Sequence, residues 1–267
     1  MVEQKSEKVL VEQDGKVGII KLNRPEVMNC LDMETLVQFR RYLEQLKESR
    51  VRVVVISGAG KAFCAGMDLK YAKGKSSEEI REINNQGLIK TFSYLYHFPK
   101  PVIAMIGGYA LGGGFELALC CDFRFASQEQ AIFGFPEIDL GILPTWGGLF
   151  LPIDCIGLTP AMELVMTARK INAEEAYKLG LIHAVVPHEE LMERVMDFAK
   201  DLSRKSDFLL QLAKYVMKQS ARADHAKRLE LSTLAMELIT AGPDGEKRLN
   251  ELLKKKGKGK ESNGQSE

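Results

Sequence analysis

The chain has no charge of one sign to spare. Its 37 lysines and arginines stand against 36 aspartates and glutamates, a net charge of +1 over 267 residues. Such a balance supplies no overall field to attract nucleic acid or an acidic membrane surface, and neither partner is expected. Cysteine is sparse and odd in number: Cys30, Cys64, Cys120, Cys121 and Cys155. Their spacing fits no metal site, and an odd count closes no disulfide framework, so reduced thiols in a cytoplasmic setting are expected. The four histidines, His97, His183, His188 and His225, lack H-E-x-x-H spacing, and no metal is expected. No apolar run approaches the roughly 20 residues that span a bilayer. The apolar stretch at 144–158 is broken by Asp154 and two prolines. The first fifteen residues are too charged for the apolar core of a secretory signal and too acidic for a typical transit peptide.

Standard motifs are missing as well. Lys73-Gly74-Lys75-Ser76 contains the end of a P-loop, but the glycine that must open it falls at Leu69. No G-x-G-x-x-G follows a strand, which removes support for a nicotinamide dehydrogenase. No serine sits in G-x-S-x-G, so the usual nucleophile elbow is absent.

What is present is an ordinary globular composition, 45% hydrophobic and 27% charged, long enough for a core without disulfides. Residues 8–13 and 16–22 read as strands around Asp14-Gly15, a hairpin signal. From Asp32, a candidate N-cap, the period changes: Leu36, Phe39, Leu43 and Leu46 fall on one helical face. Residues 51–56 form a short buried strand, 77–96 a helix, 101–106 another strand, and 115–121 a helical run after three glycines. Strands alternating with helices predict an α/β core over residues 1–190. From Pro187 the pattern becomes helical, with helices at 189–203, 207–220 and 222–239, and Pro243 able to start one more. A helical region over 191–256 packing on the core or on a neighbouring subunit is expected, followed by a Lys- and Gly-rich tail, 257–267, without structure.

Three segments remain. The first is Lys61-Ala62-Phe63-Cys64-Ala65-Gly66-Met67-Asp68-Leu69. The second runs from Gly107 through Gly112-Gly113-Gly114-Phe115-Glu116-Leu117 to Cys121-Asp122. The third is Phe133-Gly134-Phe135-Pro136-Glu137-Ile138-Asp139-Leu140-Gly141-Ile142-Leu143-Pro144. Glycines between a strand and a helix leave backbone N–H groups uncovered at the positive end of the helix, a place for an anion or for a carbonyl oxygen that becomes one. Glu116, in the first turn of that helix, is equally well explained as a partner of the helix dipole. Two acids beside glycine-rich turns do not alone make a catalytic pair.

These segments resemble the crotonase, or enoyl-CoA hydratase/isomerase, superfamily. The resemblance is carried by F-x-A-G-x-D-L, by K-P-x-I-A-x-x-x-G-x-A-x-G-G-G-x-E-L-A-x-x-C-D, and by F-x-x-P-E-x-x-L-G-x-x-P, with Ala173-Glu174-Glu175-Ala176 and Gly180-Leu181-Ile182 following in order. It implies a spiral of repeated ββα units with a helical C-terminal trimerisation region, trimers that commonly pair into hexamers, and a coenzyme A thioester as substrate. Coenzyme A would enter as part of the substrate, with no separate cofactor. By position, the resemblance assigns the oxyanion hole to the N–H groups of Ala65 and Gly113. It makes Glu116 and Glu137 the catalytic acids of a hydratase, and it puts Ala62, Cys64, Gly66, Met67, Asp68, Leu69, Gly112 and Pro136 around the substrate, with Asp139 as a secondary candidate. Having both acids favours enoyl-CoA hydration, a step of fatty-acid β-oxidation. A double-bond isomerase or thioester hydrolase of the same superfamily stands behind it, and an RNA-binding or scaffold protein on this fold is the remote alternative. Two departures stand out. The stretch between the acids is one residue longer than in typical hydratases. At Pro144-Thr145-Trp146-Gly147-Gly148-Leu149-Phe150-Leu151 a tryptophan replaces a small residue, and Trp146 either fills the core or walls the acyl pocket.

Overall fold

The computed structural model describes residues 7–221 and 223–240. The chain opens with β1 (Val9–Asp14) and β2 (Val17–Leu22), then α1 (Met33–Glu48), β3 (Val53–Gly58) and β4 (Ala62–Cys64). Next come α2 (Leu69–Ala72), α3 (Ser77–Glu82), a π-helical stretch Ile83–Ile89, and α4 (Lys90–Tyr96). β5 (Val102–Ile106), β6 (Tyr109–Leu111), α5 (Gly113–Cys120), β7 (Phe123–Ser127) and β8 (Ile132–Gly134) follow. The rest is α6 (Leu151–Ile156), α7 (Leu158–Thr167), β9 (Ile171–Asn172), α8 (Ala173–Leu179), β10 (Ala184–Val186), α9 (Leu191–Ser203), α10 (Asp207–Ser220) and α11 (His225–Thr240).

The hairpin signal at Asp14-Gly15 is realised: Asp14 pairs with Val17, and Gly15 takes the turn at φ +58°. In α1, Asp32 caps the helix by accepting from the Thr35 N–H at 2.8 Å, and Leu36, Phe39, Leu43 and Leu46 are buried on one face, as the spacing predicts. The helix expected over 77–96 is there with a difference. It starts on a Ser76–Glu79 capping box but widens at Ile83–Ile89 into a π-helical stretch, which a 3.6-residue period in the sequence cannot reveal.

The strands form two sheets. One has six strands in the order β1-β2-β3-β5-β7-β10, parallel except for the first pair; the other has four, β4-β6-β8-β9, parallel except for the last. Each turn of the chain gives one strand to each sheet: β3 then β4, β5 then β6, β7 then β8. This is the spiral of ββα units expected from the resemblance.

Strand β3 is buried on both faces, which is why its sequence is a continuous apolar run. Val54 and Ile56 point into a core with α1, α4 and α5, whereas Val53 and Val55 point into a second core with Leu191, Val195, Met196 and Ala199 of α9. Two compact units divide between Gln211 and Leu212. Helix α9 lies beyond residue 190, where the helical region of the sequence begins, yet it belongs to the first unit because it covers the second face of the large sheet. In the second unit α11 starts at His225, and Leu229, Leu234, Met236 and Leu238 are exposed on it. The helix expected from Pro243 and the tail 257–267 lie outside the described residues. No described helix is long and apolar enough to cross a membrane.

Candidate active site

Three strands of the small sheet bring the three glycine-rich segments together. Pairing of Cys64 with Ala110 and of Leu111 with Gly134 sets the carboxyl ends of β4, β6 and β8 side by side. The chain leaving them carries Ala65–Asp68, Gly112–Glu116 and Phe135–Glu137 in turn. Sites outside the carboxyl ends of parallel strands are a general property of α/β sheets. A cavity of about 420 Å³ lies there, with Gly66, Met67, Gly113, Glu116, Pro136 and Glu137 in its wall. Packing fixes the elements relative to one another. Phe115, next to Glu116, stacks on Phe135 with centroids 4.9 Å apart and leans on Phe133 at 5.1 Å.

Both acids are buried, Glu116 with 1% and Glu137 with 7% of its surface exposed. Glu116 Oε1 accepts from the backbone N–H of Trp146 at 2.8 Å and of Gly148 at 2.7 Å. Burial pushes its pKa up to about 8; the N–H groups of Gly148, Trp146 and Gly147 pull it down, and the nearby Glu137 pushes it further up. Burial also raises the pKa of Glu137, whose Oε2 is buried without a hydrogen-bond partner. Its Oε1 lies against the Cα of Gly112: a Cβ there would stand 2.6 Å from it, and φ +52° at Gly112 is itself unfavourable for a side chain.

The hydrogen-bond donors differ from expectation at one position. The Ala65 N–H is spent on the carbonyl of Met28 at 3.0 Å and is not available. The next residues form a parallel bridge with Leu31, in which Leu31 N–H donates to Gly66 and Asp68 N–H donates to Leu31. In extended chain successive groups point to opposite sides, so the Met67 N–H faces away from Leu31. Met67 lines the cavity, and its N–H meets no backbone carbonyl among the described residues. Gly113 opens α5, where an N–H has no partner within the helix, and it too meets no backbone carbonyl. The two segments approach closely, since a Cβ on Gly66 would lie 3.0 Å from the Gly113 nitrogen. The free donors are therefore Met67 and Gly113, not Ala65 and Gly113.

The family model described as enoyl-CoA hydratase/isomerase matches residues 12–254. The chain belongs to the enoyl-CoA hydratase/isomerase family. A crotonyl-CoA hydratase of Syntrophomonas wolfei is 34% identical over 252 residues, 94% of this chain and 96% of that protein. A short-chain-enoyl-CoA hydratase of Clostridium acetobutylicum is 36% identical over 218 residues, 81% of this chain and 83% of its own. Among solved structures, an enoyl-CoA hydratase from Bacillus anthracis superposes with a TM-score of 0.88 at 35% identity, covering 93% of this chain and 96% of that one.

Against the enoyl-CoA hydratase/isomerase motifs, the remaining expected residues divide. Gly66, Met67, Leu69, Gly112, Pro136 and Trp146 line the cavity. Ala62, Cys64, Asp68 and Asp139 do not. The carbonyl of Ala62 is taken by the Asn29 side chain at 2.7 Å. The Cys64 thiol is fully buried, and burial pushes its pKa up to about 12. Asp68 caps α2 and pairs with Arg24 at 2.9 Å. Asp139 is exposed on the turn after Glu137. Sequence reasoning missed Ile80, Asn84, Leu140, Ile142, Leu143 and Thr145. The apolar triplet next to Glu137 was visible in the third segment; Asn84 was not, because the π-helical stretch turns it inward.

Trp146 combines its two readings. Its ring packs edge-on to Phe92 with centroids 5.5 Å apart, and its Nε1–H donates to Asn84 Oδ1 at 3.3 Å. The indole also walls the cavity and lies on the Cα of Gly113, where a Cβ would stand 2.3 Å from it. Among the described residues, no group of three or more His, Cys, Asp and Glu side chains is arranged to hold a metal ion.

Proposed function

We propose that this protein adds water across the α,β double bond of an enoyl-CoA thioester. The observation that carries the reading is the opposition of two buried carboxyl groups, Glu116 and Glu137, to two unspent N–H groups, Met67 and Gly113, in one cavity. As water attacks Cβ, negative charge moves to the thioester oxygen, and fixed donors stabilise that charge more than the ground state. In its ionised form, which the N–H groups of Trp146 and Gly148 stabilise at Oε1, Glu116 keeps its second oxygen for the attacking water and takes its proton; protonated Glu137 gives its proton to Cα and is left ionised. The two act as a coupled pair, both raised above the ordinary carboxylate range by burial.

An isomerase shuttles one proton and needs one acid, so the paired acids support hydration. The named hydratase activities of the similar proteins support it too. With the reading go coenzyme A as part of the substrate and no further cofactor, a step in fatty-acid β-oxidation, cytoplasmic location, and assembly as a trimer or a pair of trimers. Loss of enoyl thioester absorbance with crotonyl-CoA tests the reaction. Glu116→Gln and Glu137→Gln should each lower turnover by roughly two to four orders of magnitude while the thioester still binds. Hydration by either variant at the wild-type rate refutes the assignment.

A further inference from the structure

We propose that Arg24 and Asn29 are positioning residues that aim the Met67 N–H at the thioester oxygen; the proposal rests on the hydratase reading above. The segment between β2 and α1 serves as a template for the donor-bearing loop after β4. Met28 and Asn29 both adopt left-handed backbone, with φ of +55° and +57°. Such backbone is costly for a side chain as large as methionine and persists only where the surroundings impose it.

Asn29 imposes it. Its side chain is buried and fully used: Oδ1 accepts from the Arg24 N–H at 2.8 Å, and Nδ2 donates to the carbonyls of Ala59 at 2.9 Å and Ala62 at 2.7 Å. The left-handed turn points the Met28 carbonyl at the Ala65 N–H and brings Leu31 alongside Gly66 and Asp68. Arg24 closes the far side. Its guanidinium donates to the Cys30 carbonyl at 2.6 Å and to Asp68 Oδ2 at 2.9 Å. Residues 65, 66 and 68 are thus all tied to the template, on one side of the strand. Only Met67 is left to present its N–H on the other side, into the cavity. Neither Arg24 nor Asn29 lines the cavity, and their contacts together set the direction of one donor.

The test uses butyryl-CoA labelled with 13C at the thioester carbonyl, a saturated ligand that cannot be hydrated. In the wild type, hydrogen bonding in the hole should move the carbonyl resonance downfield on binding, and crotonyl-CoA should be hydrated. Arg24→Gln and Asp68→Asn should each keep butyryl-CoA affinity near wild type, lose most of the downfield shift, and lower kcat by about a hundredfold, the scale of a misdirected catalytic group. The double variant should cost little more than Arg24→Gln alone, because both changes break the Arg24–Asp68 tie while only Arg24 also holds Cys30 and Asp32. Arg24→Lys, which keeps the charge but cannot span Cys30 and Asp68, should fall between. A wild-type shift and kcat in a folded Arg24→Gln protein overturn the proposal and leave the hydratase reading intact. If Arg24→Gln does not fold, Asp68→Asn, whose side-chain oxygen can still cap α2, decides by the same criteria. A wild type that neither binds butyryl-CoA nor hydrates crotonyl-CoA overturns the hydratase reading and this proposal with it.

Discussion

Burial works against the charge on Glu116 while two backbone donors work for it, and that balance has a consequence for stability. Its pKa is about 8 in the folded protein against 4.5 when exposed. Below pH 4.5 both states hold the proton and the residue is neutral to stability. As pH rises towards 8 the unfolded chain ionises and the folded one resists, so stability falls through that window. Glu116→Gln should therefore be inactive yet more stable than wild type, with a Tm advantage that grows from pH 5 to pH 8.5. An advantage that stays constant with pH would show that burial does not set this acid's pKa. Trp146 gives a second expectation at this scale. Removing its ring should raise kcat/KM for long straight enoyl-CoAs relative to short or cyclic ones, by the ~1–3 kcal/mol that a pocket contact discriminates. If Trp146→Gly lowers Tm and leaves that ratio unchanged, the ring serves packing alone. The place of Glu116, Glu137 and Trp146 in the cavity wall was legible from the motifs that carry the resemblance, because those motifs are written in side chains. The donor pair was legible only in part. A backbone N–H has no residue type of its own, and whether Ala65 or Met67 presents it depends on which side of an extended segment binds Leu31.

Elements were legible in proportion to their length. Helix α1 declares itself through periodicity over many residues and is where the pattern puts it, and the apolar run read as a strand over 51–56 is one shifted by two residues, at Val53–Gly58. The small sheet was invisible, since β4, β6 and β8 have three residues each, too few for any alternation to register. Yet that sheet aligns the site, and its junction with α5 is the tightest contact around it. A Cβ at Gly114 would lie 1.9 Å from the carbonyl oxygen of Cys64, a backbone atom that no rotamer can move aside. Gly114→Ala should push α5 off β4, cost about 1–3 kcal/mol or more in denaturant unfolding, and reduce activity by displacing Gly113 and Glu116 together. An alanine variant with wild-type stability and turnover would mean that the contact has slack which the distance denies.

For the whole molecule, exposed apolar side chains carry the argument. Away from the cavity, Phe150, Leu158, Met162 and Met166 all stand in water on a single chain, as do Phe208 and Tyr215 on α10. Isolated surface leucines are ordinary; this many large apolar groups support the assembly proposed above. Sedimentation velocity should find trimers or hexamers at micromolar concentration; a monomer there would contradict the proposed assembly. The layout of the site also bears on how such a protein can change over generations. The groups proposed to hold the thioester oxygen are main-chain atoms, which no point mutation replaces. The groups proposed to move protons are side chains, Glu116 three residues after Gly113 in α5 and Glu137 on the next turn of the spiral. One codon change at Glu116 or Glu137 can therefore alter what becomes of the activated thioester while leaving its activation in place. New chemistry on this scaffold need not begin by learning to hold its substrate.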